Sequence, residues 1–212
     1  MPAVVLSVNA GRLESVDGVR RSTGIRKRPV EQVVVRDPGP KRGGLGSGVV
    51  GDAIGSRKHH GGETQAVYAF AREELDRWGR ELGRDLPDGM FGENLTTVGL
   101  DVDDAEVGER WRVGLTLLEV CGPRVPCATF AAHMREPRWV RRFAEHGRTG
   151  AYLAVREAGV IDRGDTIEVV HRPGHGLTVP MFFRAAMGDR EMADVFLRAE
   201  VLPQAEHEWL AS

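Results

Sequence analysis

The stretch from Leu115 to Ala132 reads LTLLEVCGPRVPCATFAA and predicts a buried strand that leads into a turn. Its beginning, LTLLEVC, is mostly apolar with β-branched members, which is typical of a largely buried strand. Gly122 and Pro123 should end this strand, because proline has no N–H group to donate to a neighbouring strand. Pro126 fixes its own φ and favours an extended conformation at the residue before it. The chain is therefore expected to leave the strand and present Cys127 at its edge.

Cys127 is the candidate reactive residue of this turn, because Arg124 precedes it by three positions. A nearby guanidinium favours loss of the thiol proton, and the thiolate is the form that attacks electrophiles and binds metals. Functional residues also collect where a rigid element ends in a loop. The alternative on these residues alone is a small thiol that packs in a loop. Cys121, in contrast, lies within the apolar run and is expected to be buried and unreactive.

The overall composition narrows the class of protein. A chain of 212 residues suits one sizeable domain, or one domain with an appendage. The net charge of −2 does not indicate nucleic acid or a membrane surface as a partner. No apolar run approaches the ~20 residues that a membrane helix needs. Two cysteines without a CxxC spacing and a start without a signal-peptide pattern favour the reducing cytoplasm.

The pattern of short apolar segments separated by turn signals predicts a mainly β fold. Strands are predicted at residues 3–8, 31–36, 65–70, 110–113, 115–121, 151–156 and 166–170, and helices at 73–82, 128–134 and 138–146. The segment 91–96 is predicted to lead from a loop into a further strand.

The last part of the chain predicts three short helices within residues 178–209. Pro180 and Pro203 suit first-turn positions of helices, and Asp189 suits a helix cap. A piece this short cannot bury a core of its own, so it should dock on the rest of the chain or on a partner subunit. The predicted division is a β domain over residues 1–174 and a helical region over residues 175–212.

The sequence PRVPC after an LEV strand resembles the signature of the MOSC domain, named for the C-terminal domain of molybdenum-cofactor sulfurases. Three upstream segments agree with that family in the same order: TGIRKRPV at 23–30, HGG at 60–62 with AVYA at 66–69, and FGENLTT at 91–97. The resemblance covers nearly the whole chain and looks closest to the stand-alone, YiiM-like branch. It implies a MOSC-type β-barrel with inserted helices and a small three-helix appendage at the C-terminus.

The basic run from Arg20 to Arg28 has two interpretations. It either covers a solvated face or clamps a phosphate, since arginine forks around phosphate oxygens and lysine adds a point charge. The resemblance favours the clamp for Arg26 and Lys27, which lie in a matched segment. Lys27 should therefore contribute more to cofactor binding than Arg20.

The HGG segment and the FGENLTT segment supply the other candidate binding residues. His60 could act as a hydrogen-bond donor or proton shuttle, while Gly61 and Gly62 would let backbone N–H groups approach an anion. Asn94 could bind a heterocycle edge or a phosphate. Surface histidines and an asparagine that holds a turn are the alternatives. The family usually has an aspartate where this chain has Ser56, which weakens any role for an acid there.

The resemblance leaves two classes of function open, because both require a reactive Cys127. The first is a molybdenum-dependent oxidoreductase, with Cys127 as the metal ligand, that removes oxygen from N-hydroxylated compounds such as hydroxylaminopurines. The second is a sulfur or cofactor carrier in which Cys127 bears a persulfide.

The resemblance also implies cofactors and partners. The expected cofactor is a molybdenum cofactor of the molybdopterin type, bound by Arg26, Lys27, His60, Gly61, Gly62, Asn94 and Arg124. Pyridoxal phosphate, which is associated with the wider family, is less well supported because Lys27 is the single Schiff-base candidate. The chain carries no flavin, haem or iron–sulfur motif, so a separate electron-transfer reductase should deliver electrons to a small-molecule substrate. A homodimer is possible.

Overall fold

The computed structural model describes residues 2–212 and forms a mixed sheet with helices on its outside. The ten strands of this part of the chain are β1 (Val4–Gly11), β2 (Lys27–Val30), β3 (Gln32–Val35), β4 (Val67–Ala71), β5 (Leu95–Val98), β6 (Arg110–Val113), β7 (Thr116–Pro123), β8 (Ala151–Glu157), β9 (Gly159–Asp162) and β10 (Ile167–His171). The helices are α1 (Arg72–Leu82), α2 (Ala128–Met134), α3 (Trp139–His146), α4 (Val179–Ala186), α5 (Arg190–Ala199) and α6 (Gln204–Leu210), with short 3₁₀ helices at Glu63–Gln65 and Val102–Asp104.

Eight of the described strands form one sheet in the order β10-β6-β7-β8-β4-β5-β1-β2, and β3 pairs with β9 in a separate ribbon. The pairing is antiparallel except between β4 and β5, which are parallel because α1 connects them. β7 lies between β6 and β8, so the strand that leads to Cys127 is held on both sides.

The two ends of this sheet approach each other through backbone hydrogen bonds. The N–H group of Val5 donates to the carbonyl of Asp165 over 2.9 Å, and the N–H group of Ile167 donates to the carbonyl of Ala3 over 2.8 Å. These bonds join β1 to the start of β10, but the strand order itself is open. The structure thus shows a sheet-rich fold with helices, and a closed barrel stays a prediction.

Three hydrophobic clusters fill the molecule. The first lies inside the curved sheet and includes Trp111 and Leu118. The second is aromatic and packs the helices on the outer face; its largest members are Trp78, Phe91, Phe130, Trp139 and Phe143. On α1, Leu75 and Trp78 belong to this second cluster, and Leu82 packs against it.

β7 ends at the Gly122-Pro123 pair as predicted, but it is two residues longer than the expected end at Cys121, because both residues of the pair still lie opposite β8. Gly122 pairs with Tyr152 and Pro123 with Ala151 of β8, across an irregularity in register after Val120. Pro123 occupies the last position of the strand, where the missing N–H group breaks no further pairing. Strands β2 and β9 were also missed, since both are short and mostly exposed.

The C-terminal helices pack against the sheet of their own chain, which confirms the predicted docking of the tail. Phe182 and Phe196 form a third cluster with Val107, a residue of the β region. The Asp189 side chain accepts a hydrogen bond from the N–H group of Met192 and caps α5, as predicted. The division at residues 174 and 175 stays a prediction.

Within residues 2–212, no helix combines the length and the apolar character that crossing a membrane would require.

Candidate functional site

A cavity of about 1310 Å³ opens beside the turn that follows β7. Its volume exceeds the range of roughly 300–1,000 Å³ that is usual for small-molecule sites, so it has room for a large ligand or for two ligands. The predicted site residues that line it are Lys27, His60, Gly61, Gly62, Asn94, Arg124 and Cys127. Most of the matched sequence segments therefore converge on one space, although they are far apart in the chain.

The two cysteines have different environments. Cys127 immediately precedes α2, is partly exposed, and packs on the aromatic cluster while facing the cavity. Cys121 borders the same cavity from within β7 but is only 1% exposed. Burial raises the pKa of the Cys121 thiol to about 12, so this thiol stays protonated, as predicted.

Arg124 is a buried cation without a carboxylate partner. Its guanidinium lies 4.0 Å from the ring centre of Phe130 and 5.2 Å from that of Tyr68. It donates one hydrogen bond to the carbonyl of Phe91, while its Nε has no partner in the structure. None of the ion pairs within residues 2–212 includes it. A buried, unpaired charge is costly, so this position is suited to an anionic ligand.

Lys27, in contrast, already has its counterion. Its ammonium group binds the buried carboxylate of Asp52, which also accepts hydrogen bonds from Ser47 over 2.9 Å and from the N–H group of Gly11 over 2.8 Å. Burial lowers the pKa of Lys27, although Asp52 opposes that effect. Sequence reasoning missed Asp52 as a site residue; the GD pair at Gly51-Asp52 was its only signal.

Arg26 does not belong to the cavity, which corrects its predicted role in the clamp. It lies 3.8 Å from Glu14, and Arg28 binds the same carboxylate. Successive side chains of an extended chain point to opposite sides, so Lys27 faces inward while its two neighbours face outward. Arg20 lines the cavity as Lys27 does, and the predicted larger contribution of Lys27 to cofactor binding stays a prediction.

His60 lies in a turn rather than in an extended segment. The carbonyl of Ser56 accepts hydrogen bonds from the N–H groups of His59 and His60, over 3.2 and 3.0 Å. The backbone of Ser56 therefore shapes this loop, and an aspartate side chain is not needed for that purpose. Burial, with the positive charge of Arg124 adding to it, lowers the pKa of His60 to about 4. At neutral pH His60 is therefore an uncharged hydrogen-bonding group.

The two glycines that follow His60 both require their lack of a side chain. Their φ angles are 83° and 87°, and an added Cβ would lie 2.6 Å from the carbonyl oxygen of Gly46 or 2.8 Å from the backbone of Lys41. The N–H group of Gly62 already donates to Gly46 over 2.9 Å. Among the described residues nothing accepts from the N–H group of Gly61, so only Gly61 can offer its N–H group to a ligand.

Asn94 uses its amide within the protein. Its Oδ1 accepts from the N–H group of Tyr68, and its Nδ2 donates to the carbonyl of Asn9 and to Asp52, each over 3.2 Å. This arrangement matches the interpretation of Asn94 as a structural residue, extended here to the positioning of Asp52. The next residue upstream, Glu93, accepts from the N–H groups of Gly89 and Phe91, and burial raises its pKa to about 7.

The tail contributes one wall of the cavity, which the sequence did not reveal. Phe182 of α4 and Glu206 and Trp209 of α6 line it. The carboxyl group of Glu206 accepts a hydrogen bond of 2.6 Å from the hydroxyl group of Thr64. The tail therefore reaches back to the loop that carries His60, Gly61 and Gly62.

Residues 2–212 contain no group of three or more His, Cys, Asp or Glu side chains that could together hold a metal ion. Among these residues, Cys127 therefore does not belong to a metal site built from several protein side chains.

Comparison with known proteins agrees with this geometry. The model of the MOSC domain family matches residues 56–168, which include His60, Asn94 and Cys127. The chain belongs to the MOSC domain family.

Its relatives extend beyond the matched domain. The uncharacterized protein YflK of Bacillus subtilis is 29% identical over 98% of this chain and 91% of its own length. A protein named reductase from Gibberella moniliformis is 32% identical over 81% of this chain, but the match spans 30% of that longer protein. The crystal structure of YiiM from Geobacillus stearothermophilus superposes with a TM-score of 0.77 and 25% identity, over 99% of this chain and 98% of YiiM.

Proposed function

We propose that this protein binds a molybdenum cofactor in the cavity and reduces N-hydroxylated compounds, such as hydroxylaminopurines, with electrons from a separate reductase. The observation that carries the proposal is the unpaired guanidinium of Arg124 beside the accessible thiol of Cys127. A buried cation requires an anion, and a thiolate is a soft ligand suited to a redox metal.

The residues present fit such a cofactor. Arg124 would bind its negative charge, and Arg20 and Arg21 at the cavity wall would add to that attraction. The free N–H group of Gly61 would donate to a phosphate oxygen. Because a single cysteine cannot hold a metal, the remaining ligands would have to belong to the cofactor itself.

The proposed reaction breaks one N–O bond. The substrate R–NHOH takes up two electrons and two protons and leaves as R–NH₂ and water. Molybdenum, when bound, supplies a centre that can exchange two electrons. The protein's own residues hold the cofactor at Cys127, stabilise negative charge through Arg124, and offer the neutral imidazole of His60 as a hydrogen-bonding group.

The length of one relative supports the proposal that electrons come from a separate protein. The protein named reductase is much longer than this chain, which corresponds to 30% of it. We infer that the rest of that protein contributes a function that this chain receives from a partner.

The environment of Lys27 argues against pyridoxal phosphate as the cofactor. A Schiff base needs a lysine with a free amino group, whereas the ammonium group of Lys27 is bound by Asp52 in a buried pair. We therefore place Lys27 in the framework of the cavity and not in covalent chemistry.

The two cysteines allow a matched experiment. Wild type, Cys127→Ser and Cys121→Ser proteins should be purified from molybdenum-replete cells, analysed for bound molybdenum, and assayed with a hydroxylaminopurine and a chemical reductant. Molybdenum and turnover should be lost in Cys127→Ser and retained in Cys121→Ser, because an alcohol does not supply the soft anion.

The carrier function predicts a different result in the same experiment. A persulfide on Cys127 that is released by cyanide, together with no turnover by molybdenum-loaded wild type, would replace the oxidoreductase proposal with a sulfur carrier. Full molybdenum content in Cys127→Ser would exclude Cys127 as the ligand.

A further inference from the structure

The ribbon of β3 and β9 presents a row of valines on its outer side. Val34 of β3 lies directly opposite Val160 of β9. On the other side of β3, Val35 forms an antiparallel bridge with Val49. The next residue, Val50, donates its N–H group to the carbonyl of Val34 over 2.9 Å. Because residues opposite each other on neighbouring strands point to the same side, Val50, Val34 and Val160 form one row.

Burial shows that this row faces solvent. Val50, Val34 and Val160 are 44%, 45% and 39% exposed, whereas the residues that alternate with them are buried: Val33, Val35, Val49 and Ile161. The buried side belongs to the core of the curved sheet. Single apolar residues on a surface are ordinary, but a contiguous group of them marks an interaction surface.

Leu115 extends this apolar surface beyond β9. It lies in the turn between β6 and β7 and is 85% exposed, the largest value for a large apolar side chain in residues 2–212. Its carbonyl carbon lies 3.8 Å from the position that a Cβ of Gly159 would take. Gly159 is the first residue of β9, so Leu115 borders the ribbon.

Opposite charges flank the two ends of the row. Arg36 comes two residues after Val34, and Asp162 comes two residues after Val160, so alternation places both on the outer side. Because β3 and β9 are antiparallel, the two charges lie at opposite ends of the ribbon. Both are exposed, and neither takes part in an ion pair within residues 2–212.

This surface is complementary to itself. When two copies meet face to face about a twofold axis that runs across the strands, each valine of the row meets the same valine of the other copy. The same rotation exchanges the two ends, so Arg36 of each copy lies over the end that carries Asp162 in the other. A partner of uniform charge would repel one of these two residues, whereas a second copy pairs both.

We propose that this protein forms a homodimer through the outer face of the β3–β9 ribbon, with Arg36 of each copy paired with Asp162 of the other. The inference is independent of the proposed function, because no residue of this face lines the cavity. Four apolar side chains and two charges fill only part of the ~800 Å² per partner of a standard interface, so we expect a dissociation constant on the order of 1–100 μM.

The interface also adjoins the wall of the cavity from behind. The N–H group of Asp52 donates to the carbonyl of Val49 over 3.2 Å, and Val50 lies between these residues in the chain. Asp52 is the counterion of Lys27. The segment that supplies one end of the valine row therefore also supplies that carboxylate.

Charge reversal gives the decisive experiment, measured by sedimentation equilibrium on the 212-residue chain. Wild type should pass from the mass of one chain to that of two as its concentration rises from about 1 to 500 μM. Arg36→Glu and Asp162→Arg should each raise the dissociation constant at least about tenfold, because two like-charged contacts replace two ion pairs.

Combining the two changes tests the pairing itself. The double variant Arg36→Glu with Asp162→Arg should return to within about threefold of wild type, because each contact again joins opposite charges. An equimolar mixture of the two single variants should form a mixed dimer for the same reason. A merely structural effect of either substitution would not be reversed in this way.

Val34→Asp tests the apolar row, and Val170→Asp is its matched control, because Val170 is 46% exposed on β10 and outside the face. Val34→Asp should raise the dissociation constant at least about tenfold, since it places a charge on an apolar contact, and Val170→Asp should leave it unchanged. The melting temperature of each variant reports whether the fold is kept. If Val34→Asp does not fold, the charge variants, which change exposed side chains, still decide.

Three results would overturn the proposal. The first is wild type that stays a single chain at the highest concentration. The second is a dimer that neither charge reversal nor Val34→Asp weakens, or that Val170→Asp weakens equally. The third is a pair of weakened single charge variants that form no mixed dimer and are not restored in the double variant.

Discussion

Two buried cations of this site, Arg124 and Lys27, have opposite roles because their partners differ. Lys27 is neutralised by Asp52, and that carboxylate is further held by Ser47 and Asn94. Arg124 has aromatic rings and one carbonyl around it and no carboxylate. The first cation stabilises the walls of the cavity, and the second is available to a ligand.

The contrast between the cysteines predicts selective alkylation. Iodoacetamide near neutral pH should label Cys127 at least about tenfold faster than Cys121, because the latter is 1% exposed and its pKa is about 12. Peptide mass spectrometry after short exposure measures both rates. In Cys127→Ser, labelling should appear only after denaturation. Faster labelling of Cys121 would mean that the reactive site is not at the PRVPC turn.

The Lys27–Asp52 pair predicts a large effect on stability. Lys27→Ala leaves a buried carboxylate without its counterion, and the free energy of unfolding should fall by about 3–5 kcal/mol. Urea denaturation provides the measurement. Arg28→Ala breaks an exposed pair with Glu14 and serves as the control, with a much smaller effect.

A second variant tests the physical reason for this loss. Lys27→Met combined with Asp52→Asn removes both charges and should recover part of the stability. No recovery in the double variant would mean that the packing of the lysine, and not its charge, is what matters.

At the scale of elements, the contact between β7 and α4 sets the position of the tail. Gly122 faces the ring of Phe182, and a Cβ there would lie 2.7 Å from a ring carbon. Glycine is required at this position by the close approach of the helix, and not by the backbone angles. The same residue lines the cavity, so the packing of the tail and the shape of the site depend on each other.

Gly122→Ala should therefore destabilise the protein by about 1–3 kcal/mol, as overpacking does in a closed interior. The melting temperature and the denaturation curve measure the effect. Phe182→Leu in the same chain should restore part of the loss, because it removes the ring atoms that the new methyl group meets. If Gly122→Ala is as stable as wild type, α4 can move away from β7 without cost.

At the scale of the whole molecule, buried titratable groups give opposing contributions to the pH dependence of stability. Burial raises the pKa of Glu93 to about 7 and that of Asp103 to about 6, so the folded protein keeps these protons while the unfolded chain releases them. Glu93 therefore lowers the stability of the fold as the pH rises from about 4.5 to 7, and Asp103 does so from about 3.8 to 6. Burial lowers the pKa of His60 and His133 to about 4, and each raises stability as the pH rises from about 4 to 6.5.

Replacing one of these titratable groups makes the sign of its contribution to the pH dependence of stability measurable. In Glu93→Gln, the contribution that falls between about pH 4.5 and 7 is absent, so stability should rise more steeply with pH than in wild type over that interval. The difference in slope approaches ~1.4 kcal/mol per pH unit, whatever the constant cost of the lost acceptor. Denaturation curves at several pH values test this, and parallel pH profiles would mean that Glu93 ionises normally in the folded protein.

Much of the fold was predictable because its signals are local. The strand from Thr116, the helices around Pro137, and the three tail helices with the cap at Asp189 follow from periodicity, proline and capping. Strands β2 and β9 were missed because four mostly exposed residues carry too weak a pattern. The family was also recognisable, since each matched segment is contiguous in sequence.

The sequence by itself determined which residue types are available for the site: one accessible cysteine, a run of basic residues, and a loop that requires glycine. Only the tertiary structure decided how they are paired. It placed Asp52 on Lys27, left Arg124 without a carboxylate, directed Arg26 to Glu14, and brought Glu206 to Thr64. These contacts join parts of the chain that lie far apart. Local sequence patterns cannot predict them, because a charged residue looks the same in the sequence whether its partner lies beside it in the fold or is absent.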